Sequence, residues 1–339
     1  MEFILTCNEA HIKLTAYEFG LYDSSFKLKE ILFTGNDVSC TALAETSLEI
    51  SELACLIKTS PIIFVRHIHT VDAVLKSDDS LVANACIEAE KRLDRSLSFG
   101  VQLRSDGSVG GTVAKELSEK LTKLGFRQDM KNCEQVVSLT IVGDKVFFGV
   151  GKASDNLSKW KGGMPFYSAS TKFGFVSRAE YKLKEAIECF GLDLSGRKSA
   201  LDLGAAPGGW TKVLAEAGLY TVAVDPHSID RDIIKNPLVT YRRTTAELFL
   251  AEDEGKGYDF LTNDMKMGST DSVALTIAFR KKLRAGALGV MTLKLAESFS
   301  YKEVQSALRN LTEGGYTILG ARQLYHNRSE VTIAFEKRD

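Results

Sequence analysis

The run Ala200-Leu-Asp-Leu-Gly-Ala-Ala-Pro-Gly-Gly-Trp210, followed by Thr221-Val-Ala-Val-Asp225, limits the fold more than any other stretch of this chain. Strand-like residues end in a turn of small residues, and a helical run from Trp210 to Gly218 follows. That order is the entrance of a nucleotide-binding βαβ unit, where strand-end glycines let the backbone approach a ligand and the helix N-terminus adds partial positive charge. Asp225 stands 21 residues beyond Gly204. This is close to the offset of about 20 at which an acid ending the second strand reaches ribose hydroxyls. The turn is not G-x-G-x-x-G, and Pro207 removes an amide that a pyrophosphate cradle would use. A ligand with adenosine but no phosphates fits better, which points to S-adenosylmethionine. The plain alternative is a structural turn in a doubly wound domain.

With 339 residues the chain has room for two or three domains. Its formal charge is −1, so any nucleic-acid surface must be a local patch. Six cysteines (7, 40, 55, 86, 133 and 189) are scattered with no C-x-x-C pair, which favours reduced thiols over a disulfide framework or a zinc site. No basic segment followed by an apolar run opens the sequence, and no apolar stretch of 18 residues occurs. A cytoplasmic protein that crosses no membrane and needs no metal is expected, with a monomer as the simplest state.

Residues 1–60 read as a small α/β region, with apolar runs at Phe3–Leu5 and Glu30–Phe33 and a helical pattern near Ser47–Lys58. From Pro61 the pattern sharpens: a strand at Ile62–Arg66, a helix at Leu81–Ser96 carrying Lys91, Arg92 and Arg95, and a strand at Ser98–Arg104. An amphipathic helix at Val113–Leu124 follows, then strands Glu134–Val142 and Lys145–Val150 joined by a Gly143-Asp144 turn. Residues 61–155 thus form one α/β unit and 156–176 a linker, in which Lys159 and Lys161 flank Trp160. That loop offers RNA cations and a stacking face, although a packed linker with a solvated rim is the commoner outcome. His67 and His69 alternate on one strand face, but no other metal-type ligands cluster near them.

From residue 177 the chain reads as a second α/β domain, 177–339. Ser177 is a plausible N-cap for a helix in which Ala179, Leu183 and Ala186 share one face and Lys182 lies beside it. Strands follow at Ser199–Leu203, Thr221–Asp225, Val239–Arg243, Tyr258–Asn263, Gly289–Leu295, Thr317–Leu324 and Val331–Glu336. Helical runs between the first five predict a mainly parallel doubly wound sheet, and the last two an antiparallel edge. Chemistry belongs at the carboxyl ends of such strands. Those ends carry Gly204–Gly209, Asp225, Asp264 and Lys294, with Glu330 at the entrance of the last strand. Lys294 interrupts an apolar strand, where a charge costs several kcal/mol unless paired, and Asp264 one strand over is its expected partner. Arg280-Lys-Lys-Leu-Arg284 could touch phosphates, but a solvated helix face is the simpler reading; His326 either touches substrate or packs.

These residues resemble two families. Gly100-Val-Gln-Leu-Arg104, Ala114-Lys-Glu-Leu117 and Val136–Gly143 are similar to a THUMP domain, an RNA-binding module of RNA-modifying enzymes. Asn156–Phe166 looks like the stretch joining such domains to catalytic halves. Lys182, Asp264, Lys294 and Glu330 follow the order of the Lys-Asp-Lys-Glu tetrad of FtsJ-type ribose 2′-O-methyltransferases, with residues 202–210 similar to their cofactor signature. The tail Ala321–Thr332 resembles THUMP-bearing bacterial members that methylate a cytidine ribose in large-subunit (23S) ribosomal RNA. The resemblance implies a Rossmann-like S-adenosylmethionine-dependent methyltransferase preceded by a THUMP-like RNA-binding region, acting on 23S RNA or a ribosome assembly intermediate.

Carried over by position, the resemblance makes Lys294 the general base on the ribose hydroxyl. Lys182 and Glu330 would hold that hydroxyl and tune Lys294, and Asp264 would orient it. Gly204, Ala206, Pro207, Gly208, Gly209, Trp210 and Asp264 would line S-adenosylmethionine, with its ribose on Asp225. Thr245 aligns with the acid that reads adenine in many relatives. A lysine serves as base when burial or a nearby cation lowers its proton affinity, and Lys182 is the expected cation. Two departures stand out: Arg242-Arg-Thr-Thr245 offers hydroxyls in place of that acid, and Asp264-Met-Lys-Met267 replaces the common Asp-Met-Ala-Pro. Two other functions stay open. A THUMP-bearing base methyltransferase usually shows Asn/Asp-Pro-Pro-Tyr/Phe, which Thr262-Asn-Asp-Met-Lys lacks. A catalytically silent RNA-binding or assembly factor has no need of the four tetrad residues.

Overall fold

The computed structural model describes residues 1–35, 38–107, 111–158, 160, 163–165, 177–252, 257–296 and 301–339. The chain divides into two compact units, Met1–Phe166 and Tyr167–Asp339.

The first unit runs β1 (Glu2–Asn8), α1 (Ile12–Tyr22), β2 (Lys27–Thr34), β3 (Ser39–Glu45), α2 (Ile50–Thr59), β4 (Val65–Thr70), β5 (Ala73–Lys76), α3 (Leu81–Glu90), β6 (Phe99–Ser105), α4 (Thr112–Lys123), β7 (Gln135–Val142) and β8 (Lys145–Lys152). Two four-stranded sheets result, in the orders β2-β3-β1-β4 and β5-β8-β7-β6. Their cores are separate: Phe3, Leu5, Phe19, Leu53 and Ile57 in the first, Leu81, Phe99, Leu117, Leu139 and Phe148 in the second. Apolar side chains on one helix face and one sheet face bury each other, so each half gains its own hydrophobic stabilisation.

The strand read at Ile62–Arg66 forms at Val65–Thr70 and pairs antiparallel with β1, in the sheet built mostly from residues 1–60. Ile63 and Phe64 stay out of the ladder because both their N–H groups donate to the buried carboxylate of Glu18, at 3.0–3.1 Å. Helix α3 stops at Glu90, short of Ser96. Just beyond, the Asp94 carboxylate takes up the Ser96 N–H and hydroxyl, a local turn that competes with helix. Lys91 and Arg92 pair with Glu88, and Arg95 pairs with Glu90 while covering the Phe126 ring. His67 and His69 meet the second sheet through Gln102 (2.8 Å) and the Thr140 hydroxyl (2.9 Å).

The second unit runs α5 (Ala179–Cys189), β9 (Ser199–Leu203), α6 (Gly209–Glu216), β10 (Tyr220–Val224), α7 (Arg231–Ile234), β11 (Val239–Arg242), α8 (Ala246–Ala251), β12 (Tyr258–Asn263), α9 (Ser269–Ala278), β13 (Leu283–Lys294), α10 (Tyr301–Glu313), β14 (Tyr316–Arg322) and β15 (Glu330–Lys337). Its seven strands lie in the order β11-β10-β9-β12-β13-β15-β14. The first five pair in parallel, and β15 runs antiparallel to both of its neighbours. The doubly wound sheet with an antiparallel edge is thus as expected, and β9 with β12 at its centre places two strand ends side by side. Helix α5 starts at Ala179 with no side-chain bond at its cap, so Ser177 is not the N-cap. Glu180 receives the Ser177 N–H instead, at 3.4 Å. Among the described residues, no helix is long and apolar enough to cross a membrane.

The Glu18 contact is separable from the rest of the first core. Glu18→Ala leaves two buried N–H groups without that acceptor, and each such loss costs about 1–3 kcal/mol. The expected result is a urea midpoint lowered by an amount equal to about 2–5 kcal/mol, and Glu18→Gln, which keeps one acceptor oxygen, should lose less.

Candidate active site

The small-residue turn leaves β9 at Gly204 and enters α6 at Gly209. Gly204 (φ +75°) and Gly208 (φ +115°) occupy left-handed backbone that favours glycine. A Cβ at Gly204 would lie 2.6 Å from Met265 Cγ, and one at Gly208 2.5 Å from Ile233 Cδ1. The turn is therefore packed from both sides. Asp225, just past β10, receives the Ala206 N–H on one carboxylate oxygen (3.0 Å) and the His227 N–H on the other (2.7 Å). Each oxygen retains acceptor capacity, since an ionised carboxylate offers about four lone-pair sites. A glycine turn open to close approach, a helix N-terminus and a buried acceptor-only carboxylate on the next strand fit the adenosine half of S-adenosylmethionine.

Asp264 follows β12, and its N–H reaches Leu203 O at 3.3 Å, so it lies directly beside the turn. On its other side Asp264 Oδ1 accepts from Lys294 Nζ at 2.5 Å and from Thr292 Oγ1 at 2.6 Å. Lys294 ends β13 opposite Glu330, the first residue of β15, and its Nζ lies 2.5 Å from Glu330 Oε2. Lys182, from α5, pairs with Glu330 Oε1 and stands 3.7 Å from Asp264 Oδ2. All four residues named from the sequence thus come together, two cations alternating with two anions, and all but Glu330 keep some exposure.

One expectation is reversed. Burial disfavours the charged form of Lys294, but the attraction of Asp264 and Glu330 and their hydrogen bonds outweigh it and hold the lysine above its ordinary range. Lys182 does not face Lys294 alone; it shares the same two carboxylates. Burial likewise opposes ionisation of Glu330, yet Lys294 and Lys182 hold its carboxyl below the usual range. Lys294 rests as an ammonium in a cage of two anions.

Other residues fall outside this cluster. The Trp210 indole is in the core, its N–H on Ala179 O at 2.7 Å, so its side chain ties α6 to α5 and does not line the turn. Thr245 Oγ1 caps α8 by accepting from Leu248 N–H at 3.4 Å. His326 packs through Glu185, 2.7 Å from its Nδ1. Arg280, Lys282 and Arg284 bond to Gly315 O, Glu252 O and Asp259, at the end of β13 away from Lys294; Lys281 and Arg284 stay exposed, and Lys282 is buried. Asn263 is fully buried and committed to Ser272, Thr276 and the Met265 N–H. Lys159 and Lys161 lie outside the described residues, as does most of 156–176.

Three supporting carboxylates were missed. Glu180 forms a buried pair with Lys212 (3.0 Å) beneath the turn, and Glu185 holds the loop before β15. Asp202, on β9, is 1% exposed and accepts from Thr211 Oγ1 (2.6 Å) and Thr262 Oγ1 (2.8 Å). An acid inside Ala-Leu-Asp-Leu was the available signal for it. Burial pushes the Asp202 carboxyl up to about 6, the two hydroxyls oppose this, and the charges of Asp264 and Asp225 add to it. A raised folded-state value means that the contribution to stability is fully present below about pH 4 and is lost as pH rises through 6. Asp202→Asn should therefore gain stability relative to the parent between pH 4 and pH 7, by on the order of 2 kcal/mol, as read from urea midpoints at each pH.

Residues 175–314 match the FtsJ-like methyltransferase family. The chain is 33% identical over 218 residues to ribosomal RNA large subunit methyltransferase M of Cellvibrio japonicus, an alignment covering 60% of this chain and 59% of that one. The protein of the same name from Methylococcus capsulatus is 34% identical over 189 residues (52% and 51%), and that from Pseudomonas syringae pv. syringae 29% identical over 236 residues (66% and 64%). The chain thus spans from about half to just under two thirds of the length of these curated relatives. With the doubly wound sheet, the glycine turn closing β9 and this match in hand, residues 175–314 are an FtsJ-like methyltransferase domain.

Proposed function

We propose that the chain is an S-adenosylmethionine-dependent ribose 2′-O-methyltransferase of the cytoplasm, acting on large-subunit ribosomal RNA. The observation that carries this reading is the Lys294 ammonium held between Asp264 and Glu330, with Asp264 hydrogen-bonded to the strand that ends in the glycine turn. The printed names of the relatives support the RNA class. For the first unit an RNA-holding role is proposed, since its THUMP-like motifs fall on β6, α4 and β7 with the turn that follows.

When bound, S-adenosylmethionine supplies a methyl group already activated by its sulfonium. What remains for the protein is to hold the alcohol in line and take its proton, because an alcohol is a weak nucleophile at neutral pH. Gly204, Ala206, Pro207, Gly208 and Gly209 would line the cofactor, with Asp225 on its ribose. Thr245 in this reading stands where adenine is read, and Asp264 borders both cofactor and target. As the oxygen–carbon bond forms and the sulfur–carbon bond breaks, the 2′-hydroxyl proton passes to Lys294 Nζ in its free-base form. The carboxylates that raise the lysine's proton affinity make it a stronger acceptor but leave less of it as free base at neutral pH. Lys182 offsets part of their charge and leaves Glu330 ionised.

The first test is methyl transfer to transcribed large-subunit RNA, with 2′-O-methyl nucleotides read after complete digestion. Lys294→Ala should lower kcat by about 10²–10⁴-fold and leave cofactor affinity within about twofold of the parent. Full activity in that variant rejects the mechanism, and no activity in the parent rejects the assignment. A second test uses the pH profile. The rate should rise with pH as Lys294 loses its proton. Glu330→Gln removes one of the anions that favour the ammonium, so its rising limb should move to lower pH while kcat falls.

A further inference from the structure

Close in sequence to Lys182 and Glu330 lies an aromatic group that the mechanism leaves unused. Tyr181 precedes Lys182 on α5, and its ring centroid is 5.3 Å from that of His326. His326 in turn meets Tyr325 edge-on at 5.2 Å. All three are half-buried, so each keeps some surface in solvent. Tyr325 and His326 belong to the loop between β14 and β15, immediately before Glu330.

That loop is held more firmly than a connection requires. Glu185, four residues after Tyr181 and so on the same face of α5, accepts the Tyr325 N–H (2.6 Å), the His326 N–H (3.0 Å) and His326 Nδ1 (2.7 Å). Its side chain is 9% exposed, so this is a buried carboxylate satisfied by the backbone and ring of two residues. Asn327, also buried, accepts the Leu324 N–H at 2.8 Å and the Thr332 hydroxyl at 2.9 Å, and Gln323 donates to Arg328 O at 3.1 Å. Three buried polar side chains thus fix two aromatic rings next to the helix that carries Lys182 and the strand that carries Glu330.

We propose that Tyr181, Tyr325 and His326 form the platform on which the base of the target nucleotide stacks while its ribose faces Lys294. This rests on the ribose methylation proposed above. A base turned out of its own stack needs a replacement π surface, and aromatic side chains are the usual one in single-stranded RNA recognition. Because a carboxylate can only accept, the Glu185 contact requires Nδ1 of His326 to carry a proton, and this contact sets the orientation of the ring. Glu185 is then a positioning residue, acting through the loop.

The test uses the full chain, transcribed large-subunit RNA and a short single-stranded oligoribonucleotide containing 2-aminopurine, whose fluorescence falls on stacking. Tyr181→Ala, Tyr325→Ala and His326→Ala should each raise KM for RNA or weaken oligonucleotide binding by about tenfold, with cofactor affinity unchanged; the thermal midpoint should hold in the two tyrosine variants and fall in His326→Ala, which takes a partner from buried Glu185. Tyr181→Phe and Tyr325→Phe should restore both, because a ring suffices. Folded alanine variants that bind, quench and methylate like the parent overturn the proposal. So does a loss of kcat alone that phenylalanine fails to restore, which marks a structural role. A parent that quenches the probe yet methylates no ribose leaves the platform standing and removes the assigned activity; a parent that methylates but does not quench removes the platform and keeps the activity.

Discussion

The second unit depends on one electrostatic arrangement: the Glu330 carboxylate, almost wholly buried, bridges two lysines that come from different parts of the fold. A lone carboxylate at that depth would be neutral, and a lone lysine on β13 would be expelled or uncharged. The two lysines hold Glu330 ionised against its burial, and the two carboxylates hold Lys294 protonated. Breaking a buried pair by removing one partner is costly, since the survivor is left uncompensated. The buried charge of Glu330 on β15 is therefore tolerated only where α5 and β13 bring their lysines to it. The same constraint explains why Lys294 rests protonated.

The turn and the charged cluster are a single piece of structure. Leu203 and Asn263 are register partners on the two central strands, and the residues after them, Gly204 and Asp264–Met265, are packed against each other. Behind them lies a row of carboxylates with distinct duties: Asp225 steadies the turn, Asp202 accepts from the hydroxyls of Thr211 on α6 and Thr262 on β12, and Glu180 pairs with Lys212 between α5 and α6. Burial raises the Asp202 carboxyl above its ordinary range, and the charges of Asp264 and Asp225 add to that rise.

How much of this was legible follows from the range of the forces involved. Strand–turn–helix alternation and the glycine spacing are local, so β9, α6 and β12 were read with nearly their true limits. Lys294 announced itself because an amine in an apolar strand demands a partner. What the sequence hides is which partners arrive from afar. Asp264 and Glu330 both clasp Lys294, and their combined attraction outweighs burial and reverses the expected direction of its proton affinity. Glu185, Glu180 and Glu18 look like ordinary amphipathic-helix acids, yet each is buried because distant backbone or a distant lysine meets it. Arg280, Lys282 and Arg284 read as a basic run, but carbonyl oxygens and an acid from elsewhere absorb them. Trp210 sits inside the cofactor signature and nonetheless serves the core.

The order of the last two strands has an effect on how the chain is made. β15 follows β14 in sequence but lies between β13 and β14. While the chain is being synthesised, the apolar run Leu288–Leu293 on β13 therefore lacks its final neighbour, and a nascent edge of that composition invites pairing with another chain. When β15 inserts, it closes that edge and delivers Glu330 in the same movement. The pairing that covers β13 is thus the same one that completes the charged cluster, since Lys294 and Glu330 are register partners, and a half-formed sheet has no caged lysine.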